Sequence, residues 1–205
     1  MGRWIIPALA LIASAPVSAA QSQYMPPQPG TMITWKYQFD DHSYIRLSEV
    51  IASGDDFVVY DPDISDTSGS SSEYLVDFSG LHTQRCDEPL PAEDDRASLI
   101  AIWPLIQGAT ASVRSGSSGT YKVGGKTQVD VISSVEGARD AWIVASEIGA
   151  AEMDIAVSPA LGMPVQITWK SGGSGEVLEI VEPQGAAEPV DVSGKNLGYC
   201  AQLLQ

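Results

Sequence analysis

Short segments in which apolar and polar residues alternate one by one recur along most of this chain. The first runs from residue 33 to residue 39, where the apolar residues occupy the odd positions and Thr, Lys and Gln the even ones. Alternation with a period of two is the pattern of a β-strand with one buried face. Runs at residues 153–157 and 163–169 alternate as cleanly, and residues 142–148 alternate incompletely. Residues 44–51, 57–60, 74–78 and 176–182 are also interpreted as strands. The pattern predicts a mainly β fold of about eight to ten short antiparallel strands.

Polar and glycine-containing segments separate these runs, which favours an antiparallel meander over a fold of alternating strands and helices. The Gly124-Gly125 pair is interpreted as one such turn. Residues 96–103 differ, because this apolar run follows a polar stretch and precedes Pro104. We expect a short helix there, capped by Asp94 or Asp95 and ended by Pro104, with a buried strand as the alternative.

The first twenty residues have the composition of a secretory signal peptide. Arg3 is followed by an apolar core at residues 4–15 and by the small residues Ser18-Ala19-Ala20. This pattern predicts a periplasmic or secreted protein that is cleaved near Ala20. An uncleaved anchor is the alternative, but the apolar core contains Pro7 and is short for a bilayer. No later run is long enough to predict a transmembrane span in the mature form.

Composition divides the remaining chain into a lead-in and one domain. Residues 21–30 contain three prolines and are expected to be an extended lead-in. Residues 31–205 are predicted to form a single β-rich domain with an acidic loop at 61–73 and a C-terminal tail at 183–205. The two cysteines, Cys86 and Cys200, are expected to form one disulfide in an oxidising compartment, with two buried free thiols as the alternative.

The chain is strongly acidic, and the excess charge is regional. The formal net charge is −15, and residues 40–95 hold 15 of the 26 acidic residues but only two basic ones. A charge of this sign excludes nucleic acid as the expected partner, because phosphates would be repelled. Asp61, Asp63 and Asp66 lie near the spacing of a calcium loop, but the required glycine and the final glutamate are missing. We therefore interpret the segment as a solvated acidic loop, with weak calcium binding as the alternative and no metal site assigned.

Motifs for catalysis are not found in the sequence. Only His42 and His82 could act as bases near neutral pH. There is no nucleophile elbow, no zinc-binding His-Glu-x-x-His pattern and no phosphate-binding glycine loop. We expect a non-enzymatic protein without a cofactor, and interpret His42 as part of a solvated turn and His82 as a surface or packed residue.

Two stretches in the second half of the chain resemble those of a known family. Residues 103–108 read WPLIQG, and residues 158–165 read SPALGMPV. They are similar to the "WPL..G" step and the "SP.LG.PV" turn of an uncharacterised exported β-rich family, and the resemblance covers residues 103–182. It implies a single curved antiparallel sheet, or half-barrel, wrapped around one short helix, similar to the fold of periplasmic lipoprotein carriers. It implies no catalytic residues.

The candidate binding surface is apolar and aromatic. Six residues lie on the apolar faces of predicted strands or at the end of the predicted helix: Trp35, Tyr37, Phe39, Trp103, Trp142 and Trp169. They would either fill a closed core or line a groove for a lipid-like ligand, and periodicity does not separate the two arrangements.

Three functional hypotheses follow from these observations. The leading one is a non-enzymatic periplasmic domain that binds an apolar, lipid-like ligand or another envelope component. The second is a structural or assembly protein of the envelope with an acidic interaction surface, and the third is a hydrolase without a recognisable motif. The sequence leaves the ligand, the partner and the oligomeric state open.

Overall fold

The computed structural model describes residues 23–64, 74–185 and 190–205. The predicted signal peptide and its cleavage site near Ala20 lie outside the described residues, as do most of the acidic loop and residues 186–189 of the tail. The lead-in is described from residue 23, and its Tyr24 is buried against Trp103, with ring centroids 5.2 Å apart. The first described part of the lead-in is therefore packed into the core.

In the described part of the chain, eleven strands form one antiparallel sheet in the order β5-β4-β3-β2-β1-β11-β10-β9-β8-β7-β6. Two consecutive meanders, β1 to β5 and β6 to β11, are joined where the first strand pairs with the last. The strands are β1 (Met32–Gln38), β2 (Ser43–Ser53), β3 (Phe57–Asp61), β4 (Leu75–Phe78), β5 (His82–Arg85), β6 (Thr110–Val113), β7 (Gly119–Gln128), β8 (Asp140–Ile148), β9 (Ala151–Ser158), β10 (Met163–Trp169) and β11 (Ser174–Val181).

The sheet is curled into a half-barrel around a short helix, α1 (Glu93–Ile100). This helix packs against β6, which is one edge of the sheet, and against β4, which lies next to the other edge. Both margins of the sheet reach one helix only if the sheet curls. Accordingly, Val76 of β4 and Val144 of β8 belong to the same buried core as Leu99 of α1. The predicted mainly β fold, curved around one short helix, is confirmed.

The structure corrects the sequence-based expectation in the number of strands, at Gly124-Gly125 and in the bounds of the helix. The strand count is eleven, because β5, β6 and β7 add to the eight runs found by pattern; of these, β5 (His82–Arg85) is an edge strand that alternation does not reveal. Gly124 and Gly125 do not make a turn; they lie in a bulge within β7, between Val123 and Lys126. A bulge inserts an extra residue without ending the strand, so the local glycine signal is the same as that of a turn.

The helix begins earlier than expected, and its cap is different. Ala92 is the N-cap residue and makes no side-chain capping bond, so the prediction that Asp94 or Asp95 caps the helix is wrong. Both acids lie in the first turn, where their negative charges interact favourably with the positive end of the helix dipole. Asp95 accepts a 2.9 Å hydrogen bond from the backbone N–H of Ser115. The helix ends at Ile100, four residues before Pro104.

The C-terminus is held to the middle of the chain by the Cys86–Cys200 disulfide, as predicted. Cys200 lies in a 3₁₀-helix, Gly198–Leu204, and is fully buried. Tyr199 donates a backbone hydrogen bond of 2.7 Å to the carbonyl of Cys86. Within the described ranges, neither helix has the length and hydropathy needed to cross a membrane.

Candidate binding cleft

Five aromatic side chains pack side by side on and next to the central strands β1, β2 and β10. We call them the ring cluster: Trp35, Tyr37, Phe39, Tyr44 and Trp169. The Tyr37 ring lies 5.8 Å from that of Trp35 and 5.1 Å from that of Tyr44, and the Phe39 ring lies 5.8 Å from that of Trp169. The register explains the two contacts of Tyr37, because Tyr37 is directly opposite Tyr44 and Trp35, two residues away on the same strand, shares its face.

Two glycines beside β1 leave room for the ring cluster. Tyr37 is paired with Gly175 of β11, where a Cβ atom would lie 2.9 Å from the Tyr37 ring. A Cβ atom at Gly173 would lie 2.7 Å from the Phe39 ring, and its φ of +95° is in the region that favours glycine. The two rings therefore occupy the space that side chains at these positions would need.

A guanidinium group lies against the ring cluster. The Arg46 Cζ atom is 5.6 Å from the centroid of the Tyr44 ring and 5.9 Å from that of Tyr37, both within cation–π range. Its Nε atom is 3.8 Å from an oxygen of Asp63. Burial raises the pKa of Tyr37 to about 12 although Arg46 lowers it, so the phenol is neutral at physiological pH.

A cleft of about 80 Å³ shares Trp35 and Tyr37 with the ring cluster. The first meander supplies one side of its lining, from β1 to β5, and β10 supplies Met163, Pro164 and Ile167. Binding pockets that enclose a small molecule are usually about 300–1,000 Å³. The cleft is therefore suited to one end of a ligand and not to a whole lipid.

A buried carboxylate lines the same cleft. Asp77 of β4 is 2% exposed, and its Oδ2 atom accepts a 2.7 Å hydrogen bond from the Thr83 hydroxyl. Its Oδ1 atom has no hydrogen-bond partner among the described residues. Burial raises the pKa of Asp77 to about 6, while the Thr83 hydroxyl lowers it. The backbone amides of Gly80 and Leu81 also lower it, although neither makes a hydrogen bond of normal geometry to the carboxylate. Asp77 is thus a carboxylate with one unoccupied acceptor atom beside a mostly apolar cleft that Arg46 also lines.

The structure brings together four of the six aromatic residues of the predicted binding surface and separates the other two. Trp35, Tyr37, Phe39 and Trp169 are the four that meet. Trp103 is buried in the core around α1, where its indole N–H donates a 3.0 Å hydrogen bond to the Ser79 carbonyl.

Trp142 is half-buried and stands apart from the cleft. Lys126 lies 5.2 Å from the centroid of its ring. Trp142, Lys126 and Pro159 line a separate, open surface pocket. A ligand in the cleft would therefore not contact Trp142.

Sequence reasoning missed three residues of the site. Tyr44 and Arg46 continue the alternation of β2, so they could have been assigned to the face of Tyr37 from the pairing of two neighbouring strands. Asp77 has no such signal. It stands between Val76 and Phe78, which are buried in the core around α1, and a lone acidic residue in a strand resembles a solvent-facing one.

The other candidates from the sequence are engaged elsewhere in the chain. His42 lies 2.5 Å from the carboxylate of Asp41 and stacks on Phe39, in an exposed turn. His82 is fully buried, as one of its two interpretations expected, and its Nδ1 atom is 2.5 Å from the Tyr121 hydroxyl. Burial lowers the pKa of His82.

The possible calcium ligands do not converge in the described structure. Asp61 pairs with Lys195 at 3.3 Å, Asp63 is beside Arg46, and Asp66 lies outside the described residues. No group of three or more His, Cys, Asp or Glu side chains suited to a metal ion occurs in residues 23–64, 74–185 and 190–205.

Comparison with known proteins gives two weak structural similarities. No family model matches the chain, and no curated protein matches it. The hypothetical lipoprotein YmcC from Escherichia coli superposes with a TM-score of 0.41 and 12% identity, covering 80% of this chain and 93% of that one. The MucA/MucB complex of Pseudomonas aeruginosa gives a TM-score of 0.36 and 12% identity, covering 77% of this chain. This chain spans about half, 53%, of the MucA/MucB chain that it matches. The family resemblance of the two motifs stays a prediction.

Proposed function

We propose that this chain is a non-enzymatic binding module of the cell envelope that receives the end of an apolar, lipid-like ligand in the cleft. The observation that carries the proposal is that the ring cluster and the cleft share Trp35 and Tyr37. The location in the envelope rests on the predicted signal peptide.

The exposure of the rings supports binding as opposed to a closed core. Tyr44 is 38% exposed, and Tyr37, Phe39 and Trp169 are only partly buried. These rings are partly exposed to water and already packed against each other. They therefore form an apolar surface that needs little rearrangement when a ligand binds. An alkyl chain lying on this surface would lead directly to Trp35 and the cleft.

Native mass spectrometry of protein purified from its own envelope without detergent tests the proposal. We expect additional mass that is removed by organic solvent and identified as an amphiphile. The Tyr44→Ala variant should lose most of this mass, because it removes the most exposed ring of the cluster. Tyr199→Ala is the matched control, since Tyr199 has a similar exposure of 41% and lies in the C-terminal 3₁₀-helix. Unliganded wild-type protein, or equal retention in both variants, would refute the proposal.

The second hypothesis, an assembly protein with an acidic surface, has less support from the geometry. Several acidic residues of segment 40–95 are engaged within the chain: Asp56 with Arg96 at 3.5 Å, Asp61 with Lys195 at 3.3 Å, and Asp87 with Arg85 at 2.6 Å. Co-purification of a basic partner that is lost at high salt would favour this hypothesis over ligand binding.

A further inference from the structure

Asp77 leaves a hydrogen-bond acceptor unused at a place where water is largely excluded. Its neighbours Val76 and Phe78 are buried in the core around α1, so the alternation of the strand directs Asp77 to the opposite face, which lines the cleft. Thr83 satisfies Oδ2, and Oδ1 has no partner among the described residues. A buried polar atom without a partner costs stability, and a donor brought by a ligand would remove that cost.

The walls of the cleft restrict the chemistry of that donor. The aromatic residues Trp35, Tyr37 and Tyr60 line it together with Asp77. Aromatic rings attract cations over their faces, and a carboxylate forms its strongest hydrogen bonds with a charged donor. A cation with N–H groups therefore interacts with the aromatic walls and also donates a hydrogen bond to Oδ1 of Asp77. A neutral donor provides only the hydrogen bond.

Arg46 itself lines the cleft, but its carboxylate partner is Asp63 and not Asp77, so it does not fill this role. Its guanidinium group lies over the rings of Tyr37 and Tyr44 and beside Asp63. The size of the cleft, about 80 Å³, limits the entering group to a compact one such as a primary ammonium with its first methylene groups. The exposed part of the ring cluster, with Tyr44, then provides the apolar surface for the alkyl chain of the ligand.

We propose that the cleft binds the primary ammonium group of an alkylamine amphiphile, with Asp77 as the hydrogen-bond acceptor and the aromatic residues of the cleft as the walls around the cation. This inference rests on the proposed function and specifies the ligand class of the same site. It makes Asp77 the residue that distinguishes an amine from an alcohol of the same length.

Calorimetric titration of the full chain with three probes at neutral pH tests the proposal: n-octylamine, n-octanol and trimethyloctylammonium. We expect wild-type protein to bind n-octylamine at least tenfold more tightly than either other probe. In Asp77→Asn the affinity for n-octylamine should fall about tenfold or more, while the affinity for n-octanol should stay within about twofold. Asp130→Asn is the control for the loss of one negative charge, because the Asp130 side chain is 97% exposed.

Each contrary outcome has a distinct meaning. Equal binding of n-octylamine and n-octanol to wild-type protein overturns the ammonium assignment and leaves the proposed function standing. Equal binding of trimethyloctylammonium overturns the role of the N–H donor. An equal loss of both probes in Asp77→Asn overturns Asp77 as the selective group. Failure of every probe to bind overturns both proposals. The wild-type measurements are decisive even if Asp77→Asn does not fold.

Discussion

The stability of this fold is expected to depend on pH through Asp77, and the Asp77→Asn variant isolates that dependence. Burial raises the pKa of Asp77 from 3.8 to about 6. A tenfold change in proton affinity corresponds to 1.36 kcal/mol, so the raised pKa corresponds to about 3 kcal/mol. Because the folded state holds the proton more tightly, this stabilisation is complete below pH 3.8 and is lost as the pH rises through about 6.

The amide introduced by Asp77→Asn does not titrate. We therefore subtract the free energy of unfolding of wild-type protein from that of the variant, because the contributions of the other carboxylates cancel in this difference. We expect this difference to increase by about 3 kcal/mol between about pH 3.5 and pH 7.5. The phenols of Tyr24, Tyr60 and Tyr121 do not interfere, because burial, with the charge of Asp77, raises each pKa further above that range.

Urea denaturation of both proteins at about six pH values provides the measurement. The same subtraction with Asp130→Asn gives the contribution of losing one exposed charge. A difference that stays constant within about 0.5 kcal/mol over the whole range would refute the argument, because Asp77 would then titrate alike in the folded and unfolded states.

Two further predictions concern the parts of the fold that hold the cleft in place. Gly173→Ala should destabilise the protein by about 1–3 kcal/mol in urea denaturation, because the new methyl group meets the Phe39 ring at a positive φ; Gly125→Ala, where a Cβ atom meets nothing within 4 Å, should change stability by less than about 1 kcal/mol. Reduction of Cys86–Cys200, which spans 114 residues, should lower the free energy of unfolding by up to about 4–5 kcal/mol, and a Cys86→Ser/Cys200→Ser protein that is unaffected by reductant is the control. Equal stability of the two glycine variants, or of oxidised and reduced protein, would contradict these expectations.

Local alternation was sufficient to locate most strands, because half-buried strands in an antiparallel sheet carry the pattern in their own residues. The strand predicted at residues 163–169 is β10, and that predicted at 33–39 is β1 shifted by one residue. The edge strand β5 could not be found in this way, because its sequence, HTQR, is polar throughout. Its pairing with β4 defines it, and pairing is a tertiary property.

The binding surface was predictable only as far as single strands determine it. Period two places Trp35 and Tyr37 on one face, but it does not indicate what covers that face. Trp103 and Trp142 satisfy similar local patterns and lie elsewhere, because the curl of the sheet decides which faces converge. Met163 and Ile167 line the same cleft as the first meander. This arrangement likewise depends on the curl of the sheet and on the pairing of β1 with β11.

Asp77 is where local sequence and global structure disagree most, and the disagreement has a physical consequence. Asp77 is paired with Val58 and Thr83 on the neighbouring strands, and an apolar side chain at this position would leave no buried acceptor unpaired. The carboxylate instead costs the folded state stability at neutral pH. Local conflicts of this kind are expected mainly at functional or strained sites. The pH dependence of stability and the selectivity for an amine are therefore two measurements of one property, the unused acceptor of Asp77. Loss of both in Asp77→Asn would connect the energetics of the fold to the choice of ligand.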